Sequence, residues 1–255
     1  MRKKEKIKQK LFVIGVFCWE FLYFFALVII CLKASRREKK IDIGIGPEPL
    51  INNIYHKKAL EKQGFKCETY VDTTWHIISE FDKNFSSKSK IKGYMNALLN
   101  PMFIYAIRTY KILYIYFNGG PLYKTRILWR IEPWLLKIAN VKVVVMPYGG
   151  DVQCLNRTRN LYFKACMISD YPNTYRRNKR VEKQIDLWTQ SNAYIISGCD
   201  WVEYTYHWDK LMISHFSIDI DKLNKLSKKI KETSKLEKKE NKRPLRVLHA
   251  PNPED

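Results

Sequence analysis

Two pairs of adjacent glycines, each placed where an apolar run stops, have the type and spacing to do chemistry. Asn118-Gly119-Gly120-Pro121 follows ILYIYF, and Tyr148-Gly149-Gly150-Asp151 follows a run that ends at Met146. Adjacent glycines open backbone conformations closed to other residues and let a ligand approach the main chain. Asp151 fits a general base, a partner for a sugar hydroxyl, or the cap of a following helix. Arg157 and Arg159, a few residues on, suit phosphate pairing or plain solvation. A third loop, Gly44-Ile45-Gly46-Pro47-Glu48-Pro49, permits close backbone approach, and the helix after it offers free N–H groups to an anion. It is not the G-x-G-x-x-G of dinucleotide sites, because the third glycine is absent and two prolines intrude, and it also reads as a rigid turn. The candidate substrate-binding residues are therefore Gly46, Glu48, Asn118, Gly119, Gly120, Tyr148, Gly149, Gly150, Arg157 and Arg159, with Asp151 the candidate catalytic group.

Other reactive residue types are less suggestive. His215 lies within the apolar run 212–218 and reads as a core histidine, and Trp188, Trp201 and Trp208 fall where packing is the default. Cysteines 18, 31, 67, 154, 166 and 199 form no C-x-x-C pair, so no zinc or redox motif is present and free thiols are expected. Asn84-Phe85-Ser86 and Asn156-Arg157-Thr158 match the glycosylation sequon, a short pattern frequent by chance.

The elements that must position the loops alternate. Strands are expected over 41–46, 65–71, 112–117, 141–146, 193–197 and 211–216. Helices are expected over 52–63, 94–110, 124–139 with a break at Pro133, 175–190, and near 199–206. Strands separated by ten or more helical residues need crossover connections and so a mostly parallel sheet. The fold class is therefore α/β, a Rossmann-like parallel sheet with flanking helices. Ligands of such sheets collect at the carboxyl ends of the strands, where all three loops fall.

The formal charge of +21 sits mainly in two flanks: residues 1–40 carry +8 and residues 222–243 carry +7. The intervening chain is only mildly basic, which disfavours a nucleic-acid reader with a dedicated basic face. Residues 11–32 (LFVIGVFCWEFLYFFALVIICL) hold one charge, Glu20. As a helix the stretch extends roughly 33 Å, enough to cross the hydrocarbon core. A central acid costs about 2.5–3.5 kcal/mol, whereas each Leu, Ile, Val or Phe returns about 0.3–0.6, so a transmembrane helix is expected. Six Lys/Arg before it and five after leave the orientation undecided.

Taken in order, IGIGPEPLINN, FNGGPLY, VVVMPYGGDV, NAYIISGCDWVEY, HFSIDIDKL and LRVLHAPN resemble the N-terminal half of retaining glycosyltransferases of the GT-B type, which have two Rossmann-like domains. YGGDV corresponds to that family's His-Gly-Ser-Asp-like loop, with Tyr148 where histidine is common. HFSIDIDKL corresponds to the segment that closes the first domain, and LRVLHAPN to the first strand of the second. The resemblance implies an acceptor-binding first domain and a second domain that holds most of the nucleotide sugar. It implies no metal and no cofactor, the nucleotide sugar being a co-substrate. Where retention proceeds by front-side displacement, a protein carboxylate such as Asp151 is not obligatory.

The expected organisation is a basic flank (1–10), a transmembrane helix (11–32), a basic juxtamembrane segment (33–40), an acceptor-side domain (41–221), a lysine-rich linker (222–243) and the first strand of a truncated second domain (244–255). The expected activity is transfer of a sugar from a nucleotide donor to a glycan or lipid-linked acceptor. The expected location is a single-pass membrane anchor with its soluble domain in the cytoplasm, and nucleic acid is not an expected partner. The alternative is a non-catalytic membrane remnant or scaffold that binds a partner glycosyltransferase or a glycan.

Overall fold

The structure, a computed structural model, describes residues 3–74, 80–87, 89–212 and 218–237. Seven strands form one sheet: β1 (Ile41–Ile45), β2 (Cys67–Val71), β3 (Lys83–Asn84), β4 (Tyr110–Tyr116), β5 (Lys142–Met146), β6 (Tyr194–Gly198) and β7 (Lys210–Met212). The order is β3-β2-β1-β4-β5-β6-β7 and every pairing is parallel. The α/β, Rossmann-like expectation is met. Chain order reverses between β1 and β4, which lie side by side with Ile43 opposite Ile112 and Ile45 opposite Tyr114. Their carboxyl ends therefore flank a topological switch point, where neighbouring loops diverge and leave a crevice.

The apolar runs of the sequence become the centre of this sheet. Ile45, Leu113, Ile115, Val145 and Ile195 are buried on it, as a parallel sheet covered on both faces requires. Helices α2 (Ile51–Lys62), α3 (Lys90–Leu99), α4 (Pro101–Thr109), α5 (Glu132–Ile138), α6 (Leu161–Asp170) and α7 (Pro172–Thr189) connect the strands. Where periodicity predicts one helix over 94–110, two form. Asn100 takes the left-handed conformation (φ 46°) and Pro101 starts the next helix, because proline has no N–H to continue the first. The break expected at Pro133 comes slightly earlier: residues 128–130 form a single 3-10 turn, and Pro133 sits in the first turn of α5. Strand β3 and helix α6 are additions to the sequence reading.

Helix α1 (Lys3–Ser35) contains the whole apolar segment and is long and apolar enough to cross a membrane. It also packs on α4 and α5, burying Tyr23, Leu27, Cys31 and Ala34 along one stripe. The chain divides into two compact units, one ending at residue 217 and one beginning at Ile218. In the second, α8 (Ile220–Glu237) is a continuous helix where a lysine-rich linker is expected from 222 onward. His215 and the strand expected over 244–255 lie outside the described residues.

Candidate functional site

At the switch point, loops from three strands are tied to one another by side chains. Asn118, just past β4, donates from Nδ2 to Glu48 Oε2 (3.1 Å), in the loop after β1. The same nitrogen donates to the Tyr148 hydroxyl (2.6 Å), in the loop after β5. Asn53 on α2 holds the first loop from beneath, donating to the Glu48 carbonyl (2.6 Å) while accepting from the Tyr116 hydroxyl (2.6 Å). Tyr148 packs edge-on against Tyr116. Burial pushes the Glu48 carboxyl above the usual carboxylate range, against the Asn118 hydrogen bond. Burial, with the charges of Asp151 and Glu48, also raises Tyr148.

Each glycine pair is clasped by a fully buried acid. The Asp151 carboxylate accepts from the backbone N–H groups of Phe117, Tyr148 and Gly149, all at 3.0 Å, and so joins the β4 loop to the β5 loop. Burial lifts its pKa to about 7, opposed by those three hydrogen bonds. Glu132, at the start of α5, accepts from Gly120 N (3.2 Å) and Leu122 N (2.8 Å), and burial lifts it to about 8. A Cβ on Gly120 would sit 2.7 Å from Glu132 Oε1, so the clasp itself requires glycine there. Gly149 has φ +127°, a conformation that side chains rarely adopt. Gly150, by contrast, is exposed, and its missing side chain leaves open space.

Beside Asn118 lies a cavity of about 360 Å³ lined by Asn118, Tyr123, Lys124, Arg177, Arg180 and Gln184. Arg177, Arg180 and Gln184 recur at i, i+3 and i+7, one face of α7. Gln184 donates to the Asn118 carbonyl and Arg180 to the Tyr123 carbonyl, which fixes the helix over the loop. Three cations in one concave wall make this an anion-attracting surface. Asp72, at the end of β2, accepts from the Tyr123 hydroxyl (2.9 Å) and pairs with Lys124 (2.7 Å). A second cavity, of about 500 Å³, opens where Lys142 and Tyr194 begin β5 and β6, away from these loops.

The structure thus gathers Glu48, Asn118, Gly119, Gly120, Tyr148, Gly149, Gly150 and Asp151 around one crevice. Gly46 serves the sheet, since a Cβ there would fall 2.0 Å from the Tyr70 carbonyl oxygen. Arg157 is committed elsewhere: it donates to Tyr204 O (2.6 Å), Asp186 Oδ1 (2.8 Å) and the Tyr206 hydroxyl (2.5 Å), and stacks over the Tyr206 ring. Arg159 is mostly exposed, 3.6 Å from Glu203. Glu132, Arg177, Arg180 and Gln184 are additions to the sequence-predicted set. The i, i+3, i+7 spacing on a predicted helix was a usable signal for the last three, whereas nothing local marks Glu132. Among the described residues, no three His, Cys, Asp or Glu side chains gather as a metal ion would need. No protein-family model, curated protein or solved structure matches the chain.

Proposed function

We propose that the described domain is the acceptor side of a membrane-associated glycosyltransferase of GT-B type, acting on a glycan or lipid-linked acceptor. The observation that carries this reading is the hydrogen-bonded trio Glu48–Asn118–Tyr148 at the switch point, beside the cavity wall bearing Lys124, Arg177 and Arg180. Glu48 and Tyr148 offer an acceptor and a hydroxyl to sugar oxygens. The cations offer pairing to a phosphate, on the acceptor or on a nucleotide sugar held by a second Rossmann-like domain. Asp151, with its carboxylate turned to three backbone donors, acts as a positioning residue for the loops rather than as the base.

A crevice with one wall leaves a donor open to water, so on this reading residues 3–237 alone bind nucleotide sugars weakly. The test uses membranes from the native cells, with and without the protein, so that the second domain this reading requires is supplied, incubated with a panel of radiolabelled nucleotide sugars and then extracted. One labelled glycan or lipid-linked product is expected, and it falls about tenfold or more in Asn118→Ala or Arg177→Ala, the scale of one lost charge-assisted hydrogen bond. Labelling that is identical with and without the protein, across the panel, contradicts the reading.

A further inference from the structure

Helix α1 has the length and hydropathy of a membrane span, yet it is bound to the folded domain through the middle of that span. Glu20 is buried, and its carboxylate accepts from the N–H groups of Arg126 (2.9 Å), Ile127 (2.6 Å) and Leu128 (3.3 Å). Those three groups lead into the 3-10 turn at 128–130, so the acid supplies acceptors that the turn lacks by itself. One residue before, Trp19 Nε1 donates to Leu98 O (3.0 Å), and three after, the Tyr23 hydroxyl donates to Leu99 O (2.5 Å). Past the helix, Lys39 donates to Ala139 O and Asn140 O (both 2.6 Å) at the end of α5.

The opposite face of α1 is apolar and uncovered: Leu11, Ile14, Phe21, Phe25, Ile29 and Leu32 are each more than half exposed. This stripe is about 32 Å long. A bilayer-crossing helix would force one of two outcomes. Either the Glu20 bonds break and strand a carboxylate in hydrocarbon, or residues 126–128 follow it inward with the exposed charges of Lys124, Arg126 and Arg130. A helix lying along the membrane surface keeps every bond and still buries the stripe.

We propose that α1 is an in-plane anchor. Its outer face enters the acyl boundary of an anionic bilayer, its inner face stays docked on the domain, and its N-terminus lies on the same side of the membrane as the domain. The lipid class follows from charge. Lys33, Arg36, Arg37 and Lys40 are exposed at one end of the helix, Lys124, Arg126 and Arg130 are exposed around the Glu20 clamp, and five lysines between Lys3 and Lys10 precede the stripe. The inference does not depend on the glycosyltransferase reading.

Topology is tested on the full chain with one epitope at its N-terminus and a different one at its C-terminus, produced in a bacterial host. External protease on intact spheroplasts is expected to spare both epitopes, and lysis to expose both. Loss of one epitope from intact spheroplasts while the other survives would overturn the proposal. Purified protein is then floated with vesicles of phosphatidylcholine, with and without phosphatidylglycerol. Binding is expected to be about tenfold or more stronger on the anionic vesicles, as several near-surface lysines and arginines predict. It should be lost in the triple variant Phe21→Ser, Phe25→Ser, Ile29→Ser with the circular-dichroism melting point unchanged. Equal binding to both vesicles, or undiminished binding by the triple variant, would also overturn it. Glu20→Leu, which removes the clamp, is expected to turn the helix into a span and split the fate of the two epitopes. Should that variant fail to fold, the wild-type epitope result still decides the topology.

Discussion

Asp151 and Glu132, both fully buried, are the residues on which the crevice loops depend. Truncating Asp151 to alanine leaves three backbone donors without their acceptor, those of Phe117, Tyr148 and Gly149. An unsatisfied buried donor costs about 1–3 kcal/mol, so Asp151→Ala is expected to lower unfolding free energy by several kcal/mol in a denaturant titration. Glu132 supports a pH prediction. Its folded pKa, about 8, lies above the ordinary 4.5 because burial penalises the charged form. A raised folded pKa stabilises fully below the unfolded value, and the contribution is lost as pH rises through the folded one. The stability of wild type relative to Glu132→Gln should therefore fall as pH goes from about 5 to about 9. A flat or rising difference over that range would show that Glu132 is ionised in the folded protein throughout.

At the scale of elements, the break between α3 and α4 sets where α4 runs beneath β4 and α1. It rests on Asn100, whose φ of 46° suits asparagine and glycine and strains a β-branched residue. Asn100→Val is expected to cost about 1–2 kcal/mol, read from thermal melting, whereas Asn100→Gly should keep the turn. Helix α7 has the complementary role. Its inner residues Val181, Ile185 and Trp188 are buried in the core, which lets Arg177, Arg180 and Gln184 overhang the Asn118 loop. The same helix meets Arg157 through Asp186, which draws that arginine away from the loops near which it sits in sequence.

For the first compact unit as a whole, α1 is both a surface and part of the core. Its inner stripe adds Tyr23, Leu27, Cys31 and Ala34 to the cluster containing Leu135 and Leu136 of α5. Removing residues 1–36 would expose that face and leave the N–H groups of 126–128 without Glu20. A fully buried leucine alone is worth about 1.5–3 kcal/mol. The truncated chain is therefore expected to unfold at markedly lower urea and to bind a hydrophobic dye, even with no membrane present. An unchanged urea midpoint would mean that α1 contributes nothing to the domain.

By itself the sequence determined the strand–helix alternation, the parallel sheet and the three carboxyl-end loops, because hydrophobic period and glycine placement are local properties of a chain. It was enough to put Glu48, Asn118 and Tyr148 at one edge of the sheet, since the carboxyl ends of parallel strands share an edge whatever their order. Tertiary structure decided the rest. The order of strands made β1 and β4 neighbours and so selected the crevice. Partners distant in sequence turned Asp151 inward to backbone donors, tied Arg157 to α7 and brought Glu132 to the glycines. The largest addition concerned residues 11–32: their composition is that of a membrane span, and the fold adds that Glu20 among them meets three backbone donors more than a hundred residues away. Hydropathy sums over residues one at a time, whereas the free energy of a buried charge depends on which donors meet it, and only the folded chain contains that information.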